Sequence, residues 1–103
     1  MREVYNGKIY DTDKAEEIAS RANGYYKSDH GYYEESLYRT PKGTWFLAGE
    51  GGPASHYAER VGNASIGGSG VTPISEVDAF NWLQDYQFIE KLEHLFGDQV
   101  EEA

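Results

Sequence analysis

The chain has no cysteine, only three prolines among its 103 residues, and no apolar run near the roughly eighteen consecutive side chains that a membrane-spanning helix needs. The missing cysteine excludes a disulfide framework, a thiolate zinc site and a thiol nucleophile. A small fold without disulfides is expected in a reducing compartment, here the cytoplasm. No apolar segment of a signal peptide follows Met1-Arg2-Glu3-Val4, so neither export nor membrane insertion is expected. Basic residues are also scarce, nine Lys plus Arg against eighteen Asp plus Glu, for a formal net charge of −9. Such a surface repels phosphate, and direct nucleic-acid binding, which requires Lys and Arg to displace condensed counterions, is not expected.

What is present in quantity is aromatic. Nine Tyr, four Phe and two Trp make up 15% of the chain, and their large apolar surfaces offset a mean hydropathy of −0.72 that would otherwise suggest disorder. A chain of this length suits one domain, residues 1–103, with a single modest core. Its charge is uneven. Residues 1–75 carry ten acids and eight bases, whereas residues 76–103 carry eight acids and only Lys91. The C-terminal quarter is therefore an acidic pole: either a solvated helix face that keeps a small protein monomeric, or a binding surface for a basic partner.

Local patterns predict an α+β fold. Asn6-Gly7 between Val4-Tyr5 and Lys8-Ile9-Tyr10 is a strong hairpin signal. Asp13 and Glu16 have capping-box spacing, and Ala15, Ile18, Ala19 and Ala22 recur with helical period, predicting a helix over 13–22. Residues 32–50 read as the central β-hairpin of a small antiparallel sheet, with Pro41-Lys42-Gly43 as its turn. Alternation places Tyr33, Glu35, Leu37 and Arg39 on one face and Tyr32, Glu34, Ser36 and Tyr38 on the other. Pro53 suits the first turn of a short middle helix carrying Ala54, Tyr57, Ala58 and Val61, and the Gly-rich stretch 62–70 is expected to be a mobile loop. Residues 71–74 are expected to form an edge strand, since Pro73 cannot donate to a central ladder. A C-terminal helical pair then follows Ser75, broken near Tyr86-Gln87, with 98–103 expected as a flexible acidic tail.

Chemistry-bearing motifs are weak. Gly49-Glu50-Gly51-Gly52-Pro53-Ala54 fits G-x-G-x-x-A, but no βαβ unit surrounds it and Glu50 would oppose a pyrophosphate. His30, His56 and His94 are scattered; His56 with Glu59 and Glu90 with His94 supply two ligands each where zinc needs three or four. Glu34 and Glu35 are adjacent on a strand and point to opposite faces. Neither catalysis nor a cofactor or metal is expected. Tyr25, Tyr26, Tyr32, Tyr33 and Tyr38 are candidates for a protein-binding surface, with core filling as the alternative.

Residues 37–62, Leu-Tyr-Arg-Thr-Pro-Lys-Gly-Thr-Trp-Phe-Leu-Ala-Gly-Glu-Gly-Gly-Pro-Ala-Ser-His-Tyr-Ala-Glu-Arg-Val-Gly, preceded by Ile9-Tyr10-Asp11-Thr12 and Ala15, resemble small acidic proteins of phages and other mobile elements, anti-CRISPR proteins of type I systems among them, with type I-C the narrower reading. The resemblance covers roughly residues 5–85 and rests on packing and turn residues. It implies a non-enzymatic inhibitor acting in a bacterial host cytoplasm on a basic, DNA-binding surface of a CRISPR effector, with the PAM-recognising subunit of a type I Cascade as the narrower partner. The candidate partner-binding residues are Glu76, Asp78, Asp85, Glu90, Glu93 and Asp98, with Glu34 and Glu35 adding charge from the hairpin. The alternative is a regulatory module of a mobile element, an antitoxin or modulator, that binds through the Tyr-rich hairpin.

Overall fold

A computed structural model describes residues 1–103. Strands β1 (Arg2–Tyr5) and β2 (Lys8–Asp11) form an antiparallel ribbon closed by Asn6 and Gly7, whose φ angles of 52° and 75° give the left-handed turn that Asn-Gly favours. Strands β3 (Glu16–Ala22), β4 (Tyr33–Arg39), β5 (Trp45–Gly51) and β8 (Gly68–Ile74) build a four-stranded antiparallel sheet in the order β3-β4-β5-β8. A second ribbon pairs β6 (Glu59–Val61) with β7 (Ala64–Ile66) around Gly62. Helices α1 (Glu76–Asp85) and α2 (Ile89–Leu95) complete an α+β fold. The central hairpin, the edge strand containing Pro73 and the C-terminal helical pair stand as the sequence predicts.

Two expected helices are strands or turns instead. Residues 13–22 do not form a helix: Glu16–Ala22 pair with β4, with a bulge between Glu17 and Ala19. The bulge brings Ile18 and Ala19 inward together, so the apolar spacing that mimics a helical stripe is satisfied by an irregular strand. Asp13 caps nothing; its N–H donates to Asp11 Oδ1 at 2.9 Å in a tight turn. Nor does a middle helix follow Pro53. Ser55 Oγ donates to the Gly52 carbonyl at 2.8 Å and accepts from Tyr57 N–H at 3.2 Å, holding a turn in which the side chain competes with helical bonding.

The Gly-rich stretch is likewise ordered into ladders rather than a loop. Gly68 pairs with Gly51 and Gly70 with Gly49, leaving a shallow trench on the sheet where the turn 52–58 packs. A Cβ on Gly49 would lie 2.6 Å from the Tyr57 hydroxyl. Glycine is required there by close approach.

The sheet is covered on both faces. On one, Ile18, Ala19, Leu37 and Trp45 pack against Ala79, Trp82, Leu83, Leu92 and Phe96 of the helical layer. On the other, Tyr10 of β2 joins Phe46, Ala48 and Val71. The opposed placement of Leu37 and Tyr38 follows the alternation read from the sequence. Beyond α2, Gly97–Gln99 make a 3-10 turn and Val100 packs on the first core.

Ser75 starts α1 with a reciprocal capping box: its hydroxyl accepts from Asp78 N–H at 3.0 Å, and its own N–H donates to Asp78 Oδ2 at 3.4 Å. Ser75→Ala is expected to cost about 1 kcal/mol, read as a lower urea midpoint at unchanged slope.

Candidate functional site: the acidic helical face

The stripe Ala79, Trp82 and Leu83 turns α1 inward, and Asp78, Asn81 and Asp85, three and seven residues apart, are thereby held outward. On α2, Leu92 is buried while Glu90 and Glu93 are exposed. Glu76, Asp78, Asp85, Glu90, Glu93 and Asp98 are all exposed, and none is in an ion pair. Gln87, with φ of 62°, redirects the chain between the helices, so the acids form two rows rather than one continuous line. Asp78 is in part committed to the cap.

Placement of these charges is not explained by helix stability alone. Glu76 and Asp78 in the first turn complement the helix dipole, but Asp85 ends α1 where the dipole disfavours an anion, and no basic residue offsets it in the last turn. An unfavourable charge of this kind costs roughly 0.3 to 1 kcal/mol.

The hairpin acids divide. Glu34 is half-buried on the face opposite the helices and lies directly across the ladder from Glu50, a like-charge pair. Tyr32 donates its hydroxyl to Glu34 Oε2 at 2.5 Å. That bond is the main reason the Glu34 carboxyl is held below its usual range and the Tyr32 phenol above its own. Glu50 is thus a second acid at this position that sequence reading passed over, although a register running through the Pro41-Lys42-Gly43 turn pairs it with Glu34.

Glu35 is not part of a partner-binding surface. It is 6% exposed, beneath α1 and the 52–58 turn. Its Oε1 accepts from Trp82 Nε1 at 3.0 Å, its Oε2 accepts from the Tyr57 hydroxyl at 2.6 Å, and His56 Nε2 lies 3.4 Å from Oε2. Burial, reinforced by the bond to Glu35, pushes the Tyr57 phenol far above its ordinary range. Beside it, Arg21, the register partner of Glu35 on β3, stacks its guanidinium 3.8 Å above the Tyr86 ring and donates to the Tyr33 hydroxyl at 2.9 Å. This polar knot ties the sheet to α1 and sets the helix rotation that keeps Asp78 and Asp85 outward.

The five hairpin and loop tyrosines do not make one surface. Tyr25 and Tyr26 are exposed, Tyr33 lies on the helix face against His56, and Tyr38 stacks on Phe46 on the other face. His30, His56 and His94 lie apart, and no three His, Asp or Glu side chains converge as metal ligands. The Gly49-to-Ala54 motif lacks the helix N-terminus that a phosphate would require, because β5 runs into turns.

No helix is long and apolar enough to cross a membrane. The chain matches no protein-family model, no curated protein and no solved structure.

Proposed function

We propose that this protein is a non-enzymatic inhibitor that presents the carboxylates of α1 and α2 as a mimic of DNA phosphates and blocks a DNA-binding site. The observation that carries this reading is the set of six exposed, unpaired acids on the C-terminal elements. Carboxylates three residues apart on a helix, as in Glu90 and Glu93, are separated by about 4.5 Å along the axis. Phosphates of duplex DNA follow at about 3.4 Å per strand. Lys and Arg arrayed for one can therefore engage the other, with fast association that slows as salt screens the opposed fields. With the resemblance to anti-CRISPR proteins, the partner proposed is a CRISPR effector of a type I system in the bacterial cytoplasm, contacted at a DNA-recognising subunit.

The test reverses Asp85, Glu90 and Glu93 to Lys together and spares Asp78, whose side chain caps α1. Binding to a purified type I effector, and protection of phage from it, should be lost while the circular dichroism spectrum is kept. Retained inhibition by that folded variant would defeat the mimicry mechanism. A second reading, a mobile-element regulatory module, draws on exposed Tyr25 and Tyr26. It would be selected if Tyr25→Ser with Tyr26→Ser abolished partner binding and the acid reversal did not.

A further inference from the structure

In a chain with twice as many acids as bases, four of the nine cations meet at one end of the sheet. The β1–β2 ribbon brings Arg2 and Lys8, the turn before β3 brings Lys14, and the β4–β5 turn brings Lys42, around a cleft of about 510 Å³. One acid lines it, Asp11, and that carboxylate is engaged by Arg2 Nε at 3.2 Å and by the Asp13 N–H. Lys8, Lys14 and Lys42 have no ion-pair partner. Lys14 and Lys42 also border an adjoining concavity that adds Arg39 and one acid, Glu16. Three unpaired ammonium groups around one hollow repel each other, a cost that a bound anion would relieve. Between them lie apolar surface from Ile9 and Pro41 and the hydroxyl-bearing side chains of Thr40 and Thr44.

We infer that this cleft binds a small organic phosphate of nucleotide size, its phosphates held by Lys8, Lys14 and Lys42 and its body resting on Ile9 and Pro41. The volume falls within the roughly 300 to 1,000 Å³ of small-molecule sites. A small ligand is favoured over a nucleic-acid strand because a long polyanion would extend into the field of a −9 protein. The acidic helices lie across the sheet, and a screening length of about 8 Å at physiological salt isolates the cleft from them but not a strand that wraps the molecule. This site is separate from the acidic helical face and does not depend on the inhibitor reading.

The experiment titrates isotope-labelled full chain with ATP, with inorganic pyrophosphate and with a short single-stranded oligonucleotide, following backbone amide shifts. ATP and pyrophosphate should move the amides of Lys8, Lys14 and Lys42, with ATP the tighter. Lys14→Glu with Lys42→Glu should weaken ATP binding by about tenfold or more. If that variant does not fold, Lys14→Gln with Lys42→Gln should still lower the affinity. No cleft shifts with either small phosphate, full affinity in the folded variants, or tighter binding of the oligonucleotide than of ATP would each overturn the inference, the last in favour of a nucleic-acid site.

Discussion

Replacing Glu35 with Ala is expected to lower the stability of this protein by about 3 to 5 kcal/mol, a large share of the roughly 5 to 15 kcal/mol that small domains possess. The carboxylate is the common acceptor for Trp82 Nε1 and the Tyr57 hydroxyl, both on residues that are less than a tenth exposed. Without it two buried donors lose their partner, at about 1 to 3 kcal/mol each, and the space left behind adds a cavity term. Glu35→Gln is expected to fall between, because one amide oxygen still accepts while the amide nitrogen cannot. Urea unfolding followed by Trp fluorescence measures both. A loss below about 1 kcal/mol for the Ala variant would mean that water replaces the carboxylate as the acceptor, and that the knot is not what binds α1 to the sheet. The same variant should also weaken any partner that uses Asp85, Glu90 and Glu93, since the rotation of α1 depends on Trp82.

Phe46→Ala is the second large effect. Phe46 is fully buried at the centre of the other core, stacked on Tyr38 with ring centres 5.2 Å apart and meeting Tyr10 edge-on at 5.5 Å. Truncating a buried Phe costs about 3 to 5 kcal/mol. Here it also removes the seat of the β1–β2 ribbon, which reaches this core through Tyr10. Amide exchange should therefore rise in residues 2–11 more than in α1 and α2, which pack on the opposite face. Uniform acceleration across both layers would show instead that the two cores unfold as one unit. Because the basic cleft is built partly on that ribbon, phosphate binding should fall in parallel.

How much of this was legible in the chain depends on where each signal is stored. Asn6-Gly7, Pro41-Lys42-Gly43 and Ser75 with Asp78 act within a few residues, so the turns, the central hairpin and the start of α1 could be read directly. The strand at Glu16–Ala22 could not, because the pairing that holds it comes from β4 and its bulge imitates helical spacing. The stretch after Pro53 failed for a related reason: Tyr57 is committed to Glu35, twenty-two residues away, and that long-range bond outweighs the local preference. Among the candidate residues, the exposure of Glu76, Asp78, Asp85, Glu90, Glu93 and Asp98 was legible from charge and, on the two helices, from period. Glu35 was misplaced, since alternation told which face it occupies but not that Trp82 and Tyr57 cover that face.

By itself, then, the sequence determined that this is an acidic α+β chain with no cysteine chemistry and a charged C-terminal helical pair, because composition, turn residues and amphipathic period are local properties. The tertiary structure alone decided that one glutamate is an internal tie rather than a surface charge and that Arg2, Lys8, Lys14 and Lys42 share a cleft. Each of those depends on strands and turns distant in sequence being brought side by side, and it is long-range pairing and burial, not local preference, that does so.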